Sequence, residues 1–200
     1  RATQEDNSFL PDDSILDHMN FLMMAAHDTI TSSVTSFVYY LAKNPEWQDT
    51  LREEALAIAP AGAALSMAQL DQFTLTEMAF KEALRMMPPV PAMPRRSVRA
   101  FEFGGYTIPA GTNLSINTSF VHRMPDIWPE PERFDPMRFT AEAVRGRHKY
   151  AWVPFGGGAH MCLGLHFAYM QMKIFTHQLL TTKRIEIADD YTPKWQAWPI

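Results

Sequence analysis

Two hundred residues, 46% hydrophobic and 20% charged, are enough to bury the core of one domain and do not describe a disordered chain. A net charge of −4 argues against a general nucleic-acid role, and a single cysteine excludes an internal disulfide. The longest apolar run, residues 21 to 42, is broken by His27, Asp28, threonines and serines, which suits an interior helix better than a membrane span.

Asp12, Asp13 and Ser14 offer N-caps to an apolar-periodic run that predicts a long helix over about 14 to 42. Near its middle stands Ala25-Ala26-His27-Asp28-Thr29, two small residues and then an acid beside an alcohol. Thr29 can bond back to a carbonyl one turn earlier, and a buried Asp28 needs a partner or a neutral state. The sequence assigns no role to His27. Asn44 and Pro45 open a second helix, ended by Pro60 and Gly62, and a short segment runs from Ser66 to Phe73. Thr74 and Glu77 have the spacing of a capping box for a helix over about 75 to 87, stopped by Pro88-Pro89. On it, Glu82 and Arg85 form an i, i+3 pair that by itself is an ordinary ion pair.

Residues 90 to 94 are too proline-rich for a helix or a central strand and read as an extended wall, followed at once by Arg95 and Arg96. A small β-sheet is expected over about 96 to 117, with Gly104-Gly105 as a turn. Residues 128 to 152 read as a long irregular segment, which calls for a functional reason. It carries a basic cluster, Arg145, Arg147 and Lys149, that is either a solvated face or a docking patch for an acidic protein.

The loop over 155 to 164 contains the lone cysteine, Cys162, with three glycines before it and one after. Such a loop can approach a flat cofactor closely, and a helix beginning at the cysteine, over about 163 to 182, aims its positive end at the sulfur and favours the thiolate. Apolar residues at 163, 167, 170 and 174, with 168, 172, 175 and 179 beside them, predict a wide buried face on that helix. Met170 and Met172 read as packing.

Phe155, Gly158, His160, Cys162 and Gly164 fall in the pattern Phe-x-x-Gly-x-(Arg/His)-x-Cys-x-Gly, which closely resembles the haem-binding loop of the cytochrome P450 family. The resemblance implies a mainly α fold with a small β-sheet, here the C-terminal half of the P450 fold only. It implies haem b as cofactor, Cys162 as the axial iron ligand, and Phe155, Gly156, Gly164 and Ala25 around the haem. His160 would lie near a propionate, where the family more often has Arg, and Arg95 would pair with a propionate, with Arg96 as the alternative. The stretch around Ala25 resembles the family's oxygen-binding groove, with Asp28 and Thr29 as the acid and alcohol, and Ala26 where glycine is usual.

Pro131-Glu132-Arg133-Phe134 resembles the segment whose arginine completes a structural network, so Glu82, Arg85 and Arg133 are the expected trio. Met23, Met24, Val90, Ala92, Met93 and Trp195 are the expected substrate pocket, mostly apolar. The implied activity is a haem-thiolate monooxygenase taking O2, a small hydrophobic substrate and electrons from a ferredoxin or flavodoxin-type donor that docks on the Arg145, Arg147, Lys149 patch. The alternatives are a peroxygenase or isomerase, or a non-catalytic haem-binding fragment. The expected location is cytoplasmic, and no nucleic acid is expected as partner.

Overall fold

A computed structural model describes residues 8 to 194. Helix α1 spans Asp12–Lys43 and is capped by no side chain; Asp12 and Asp13 lie inside its first turn, where acids complement the helix dipole. Its buried residues, Ser33, Ser36, Phe37 and Leu41, all fall in the second half. The first half exposes Leu16, Met19, Phe21, Leu22, Met23 and Met24, so among the described residues the expected interior helix is interior only toward its C-terminus. No helix of the described residues is long and apolar enough to cross a membrane.

Helix α2, Pro45–Ile58, starts with proline at its first turn as expected. The Asn44 side chain does not cap it; Nδ2 donates backward to the Tyr40 carbonyl at 2.8 Å and helps close α1. Helix α3, Met67–Leu70, has a full capping box made by Ser66 and Gln69. The box expected at Thr74 and Glu77 does not form on α4, Thr74–Met86. Glu54 of α2 takes its place, accepting from the Leu75 N–H at 2.6 Å, the Thr76 N–H at 2.9 Å and the Thr76 hydroxyl at 2.7 Å. A carboxylate from a packed neighbour satisfies two orphan donors at the positive end of α4, which a local cap on one oxygen could not do. Glu77 instead binds Lys81 at 2.7 Å and Lys173 at 2.8 Å. Burial alone would raise the Glu77 carboxyl, but the hydrogen bonds from Lys173 and Lys81 hold it below its ordinary value.

The core joins Phe37 and Leu41 of α1, Leu51 of α2, Phe80, Ala83 and Leu84 of α4, and Met172 and Leu180 of α7, Leu165–Leu180. The stripe expected on α7 is displaced. Its buried residues are Met172, Lys173, Thr176, His177 and Leu180, while Leu163, Phe167 and Ile174 are exposed. Lys173 and His177 tolerate burial because Glu77 pairs the first and the Ala59 carbonyl lies 3.3 Å from the ring of the second. Met172 packs in the core as expected, and Met170 is half-buried.

Among the described residues the strands form two separate antiparallel pairs rather than one sheet starting near 96. β1, Ala92–Arg96, pairs with β4, Asn113–Asn117; β2, Phe101–Phe103, pairs with β3, Tyr106–Ile108. The expected wall at 90 to 94 therefore enters a strand, and Pro94 is tolerated because β4 is the one strand that pairs with β1 among the described residues. A short helix α5, Thr118–Val121, leads into the irregular segment, which holds a 3₁₀ turn, Pro136–Phe139, and helix α6, Ala141–Arg145. A second small core of Trp128, Phe139 and Ala151 anchors this segment.

Candidate functional site

The site is built outward from a buried ion pair on α4. Glu82 and Arg85 are both fully buried, and Arg85 grips the carboxylate with two donors, Nε at 2.7 Å and Nη2 at 2.9 Å. This fork geometry is the strong form of the pair. The remaining Arg85 donors reach the irregular segment, at the His122 carbonyl (2.8 Å) and the Pro131 carbonyl (2.8 Å), and the guanidinium lies over the Trp128 ring at 5.3 Å. Glu82 in turn accepts from the Asp135 N–H at 2.9 Å.

The third arginine is not the expected one. The Arg133 side chain is exposed and pairs with Glu130 at 3.3 Å; only its backbone carbonyl meets Arg85, at 3.4 Å. Arg138 approaches Glu82 at 3.4 Å and donates to the Glu130 carbonyl at 2.9 Å. The signal was present in the sequence, since Pro131-Glu132-Arg133-Phe134 and Pro136-Met137-Arg138-Phe139 repeat the same spacing five residues apart. The 3₁₀ turn at Pro136–Phe139 brings the second arginine to Glu82.

Arg147 is likewise structural. Its guanidinium stacks on Trp128 at 4.2 Å and on Phe139 at 5.2 Å, and its Nη2 donates to the Arg138 carbonyl. Of the expected basic patch, only Arg145 and Lys149 are exposed.

His122, unremarked in the sequence, is fully buried. Its Nε2 accepts from the Val153 N–H at 3.0 Å. Burial pushes its pKa down from 6.5 to about 4, and the nearby Arg85 and Arg123 guanidiniums add to the effect against hydrogen bonds that favour the charge. Between those two values the unfolded chain carries a proton on this ring that the folded chain does not, so stability falls on acidification. The loss begins below about 6.5, is complete near 4, and amounts to roughly 3 kcal/mol. Thermal melts from pH 7 to pH 4 should therefore fall more steeply for the parent than for His122→Gln, and parallel curves would contradict this.

The Cys162 loop closes on itself through the Cys162 N–H donating to the Phe155 carbonyl at 2.9 Å. Gly156 and Gly158 have φ of 73° and 69°, the left-handed region that glycine fills without strain. Gly164 lies beside the sulfur, and a Cβ there would sit 3.7 Å from Sγ. The Phe155 ring turns into the core against Tyr169 (5.7 Å) and Trp152 (6.1 Å), so it anchors the loop. Cys162 is exposed, α7 begins three residues after it, and His160 is exposed on the same loop.

Strand register separates the two arginine candidates. Met93 and Arg95 share one face of the β1–β4 pair with Leu114 and Ile116, and the Met93 sulfur lies 3.6 Å from the Cβ position of Gly156. Arg95 thus shares the strand face that meets the Cys loop, while Arg96 lies on the other face and its Nε donates to the Gly111 carbonyl at 3.1 Å. Val90 and Met93 are half-buried and Ala92 is exposed; Trp195 lies outside the described residues.

On α1, the Thr29 hydroxyl donates to the Ala25 carbonyl at 2.8 Å, as the spacing implies. His27 acquires a partner, with Nδ1 at 2.8 Å from Asp28 Oδ1 on the exposed side. Met23 and Met24 are exposed just upstream.

Among the described residues no group of three or more His, Cys, Asp or Glu could hold a bare metal ion. A metal whose macrocycle supplies its other ligands needs one protein donor, and an exposed sulfur on a glycine loop, with a cationic Arg95 on the adjoining strand face, fits a haem.

The cytochrome P450 family model matches residues 1–196. A putative cytochrome P450 136 of Mycobacterium tuberculosis is 40% identical over 204 residues, covering 100% of this chain and 41% of that protein. A taurochenodeoxycholic 6 alpha-hydroxylase of Sus scrofa is 38% identical over 190 residues, 94% of this chain and 37% of its own. The chain thus spans about two fifths of the length of these curated relatives. A solved structure, a retinoic acid-bound cyanobacterial CYP120A1, superimposes with a TM-score of 0.84 at 32% identity, over 90% of this chain and 41% of that one. The loop pattern around Cys162, the buried Glu82–Arg85 fork and a match that runs through nearly every residue agree, and the chain belongs to the cytochrome P450 family.

Proposed function

We propose that this chain carries the thiolate and oxygen-side parts of a haem-thiolate monooxygenase, which inserts one atom of O2 into a hydrophobic organic substrate. The observation that carries the reading is the exposed Cys162 sulfur on a loop held from behind by the Phe155 carbonyl and the Phe155 ring. Haem b, when bound, supplies the activation of O2; one oxygen atom goes to substrate and the other to water, with two electrons and two protons consumed.

The chain's own residues supply ligation, charge and protons. Cys162 would supply the thiolate that holds the haem iron. Arg95 would offer a permanent positive charge to a haem propionate, and His160 a hydrogen bond to one. At Thr29 the hydroxyl proton is already directed, toward Ala25 O, so the same Oγ1 has lone pairs left to accept one from another group. Asp28, the preceding residue and exposed, is the carboxyl group that can relay a proton from solvent toward the group held by Thr29. Exposed Met23 and Met24, with half-buried Val90 and Met93, offer the flexible apolar surface a hydrophobic substrate needs. Similarity to a taurochenodeoxycholic 6 alpha-hydroxylase and to a retinoic acid-bound CYP120A1 supports a substrate with a large apolar body.

Replacing Thr29 by Val tests the proton role. Proton delivery by a positioned group contributes ~10²–10⁴-fold, so haem content should be retained while product per reductant consumed falls and hydrogen peroxide accumulates. An unchanged ratio of product to reductant would remove Thr29 from the mechanism.

The electron donor in this reading is a ferredoxin or flavodoxin-type protein with an acidic face, attracted by Arg145 and Lys149. Its reduction of the protein should slow as salt rises and slow further in Lys149→Glu at low salt. Salt-independent reduction would exclude the patch.

A further inference from the structure

We propose that His122 is a positioning residue for the Cys162 loop, its neutral ring accepting the Val153 N–H and thereby tying the approach to that loop to the buried Glu82–Arg85 pair. The proposal rests on the reading of Cys162 as iron ligand.

Four hydrogen bonds form a continuous path. Arg85 Nη1 donates to the His122 carbonyl at 2.8 Å, and the Val153 N–H donates to His122 Nε2 at 3.0 Å. The Gly156 N–H then donates to the Val153 carbonyl at 3.0 Å, and the Cys162 N–H to the Phe155 carbonyl at 2.9 Å. The path runs from the α4 ion pair to the backbone of the ligand itself.

The chemistry of the second link is restrictive. A backbone N–H can only donate, so Nε2 must present a lone pair, and a neutral ring then carries its proton on Nδ1. A protonated ring would have no acceptor left and would eject the Val153 N–H. The surroundings oppose that proton, since the ring is fully buried and the charged groups acting on it, Arg85 and Arg123, are both cations.

The fold also accepts a cost to keep this ring. His122 Nδ1 is buried with only poorly aligned contacts to the Leu84 and Arg85 backbone and no well-formed hydrogen bond, so one ring nitrogen is left poorly satisfied while the other serves Val153. A residue needed only to fill the space would be apolar and would leave no such nitrogen. The end of α5 does not require the side chain either, because the His122 backbone N–H already donates to the Thr118 carbonyl at 2.9 Å.

Two substitutions separate positioning from filling. His122→Gln can place its amide oxygen near the Nε2 position and keep an acceptor, whereas His122→Leu fills the volume without one. In the full chain, nitrogen-15 NMR of the unsubstituted ring should show the proton on Nδ1. Hydrogen exchange at the Val153 amide should speed up at least ~10-fold in the Leu variant and much less in the Gln variant, since a lost net hydrogen bond of about that equilibrium weight is removed.

In the haem-loaded protein, the reduced CO spectrum at equal haem content should show several-fold less of the red-shifted thiolate band in His122→Leu, with most of it restored in His122→Gln. A proton on Nε2, or unchanged Val153 exchange in the Leu variant, overturns the proposal. So does a Leu variant with the parent's proportion of thiolate band, or a folded Gln variant that loses the band as fully as Leu. If the unsubstituted protein itself lacks the red-shifted band, the ligand assignment at Cys162 is what has failed, and the NMR and exchange results show whether the hydrogen bond stands without it.

Discussion

Glu82→Ala is expected to destabilise the protein by about 3–5 kcal/mol, most of the margin of an ordinary domain. The reason is what remains behind. Arg85 has no exposed surface, and removing the carboxylate leaves its Nε and one Nη2 contact without an acceptor inside the core. Arg138, at 3.4 Å, loses its counter-charge, and the Asp135 N–H loses its acceptor.

Because Arg85 also holds the His122 and Pro131 carbonyls, the damage should spread into residues 122 to 139 rather than stay on α4. Denaturant titration should show the midpoint fall, and hydrogen exchange should show the loss concentrated in that segment. Arg133→Ala is the control, since its exposed side chain pairs with the exposed Glu130 and should cost well under 1 kcal/mol. Equal losses from the two variants would mean that the buried fork is not what organises the segment.

Cys162→Ser is expected to abolish the red-shifted CO band of the reduced, haem-loaded protein and with it the monooxygenase activity proposed above. The serine hydroxyl is nearly isosteric, so the Cys162 N–H bond to Phe155 and the φ values of Gly156 and Gly158 need not change. What changes is the donor. A thiolate pushes electron density onto iron and an alcohol does not, so the spectrum reports the ligand independently of stability. Melting temperature close to the parent alongside loss of the band is the expected combination. A retained red-shifted band would require another axial ligand and would remove the central role given to this residue.

Much of the site was legible along the chain because its decisive relations are short in sequence. The Cys162 loop is ten residues whose glycines, aromatic and sulfur stand at set spacings, and the closing bond from Cys162 to Phe155 lies within it. Thr29 reaches Ala25 because a helical hydroxyl meets the carbonyl four residues back. Glu82 and Arg85 meet because i and i+3 share a helix face. Helix α1 at Asp12–Lys43 matches the apolar-periodic run expected over about 14 to 42, and the helices and small strands that follow match the patterning along the chain.

Only the tertiary structure decided relations that join distant segments or choose between equal local options. Arg133 and Arg138 sit in matching Pro-x-Arg-Phe runs, and the path of the irregular segment delivers only the second to Glu82. Glu54 caps α4 from 21 positions away, replacing a local box that sequence spacing made plausible. Arg147 left the surface because Trp128 offered a ring face, and Arg95 was separated from Arg96 by the pairing of β1 with β4.

His122 had no sequence signal at all, since its role depends on Val153, 31 positions later, arriving at its ring nitrogen. Local spacing determines which residues can meet within one helix or loop, where the geometry repeats. Which side chain fills a contact between segments is determined by packing and charge burial over the whole chain, where an unpaired group costs more than any local preference returns.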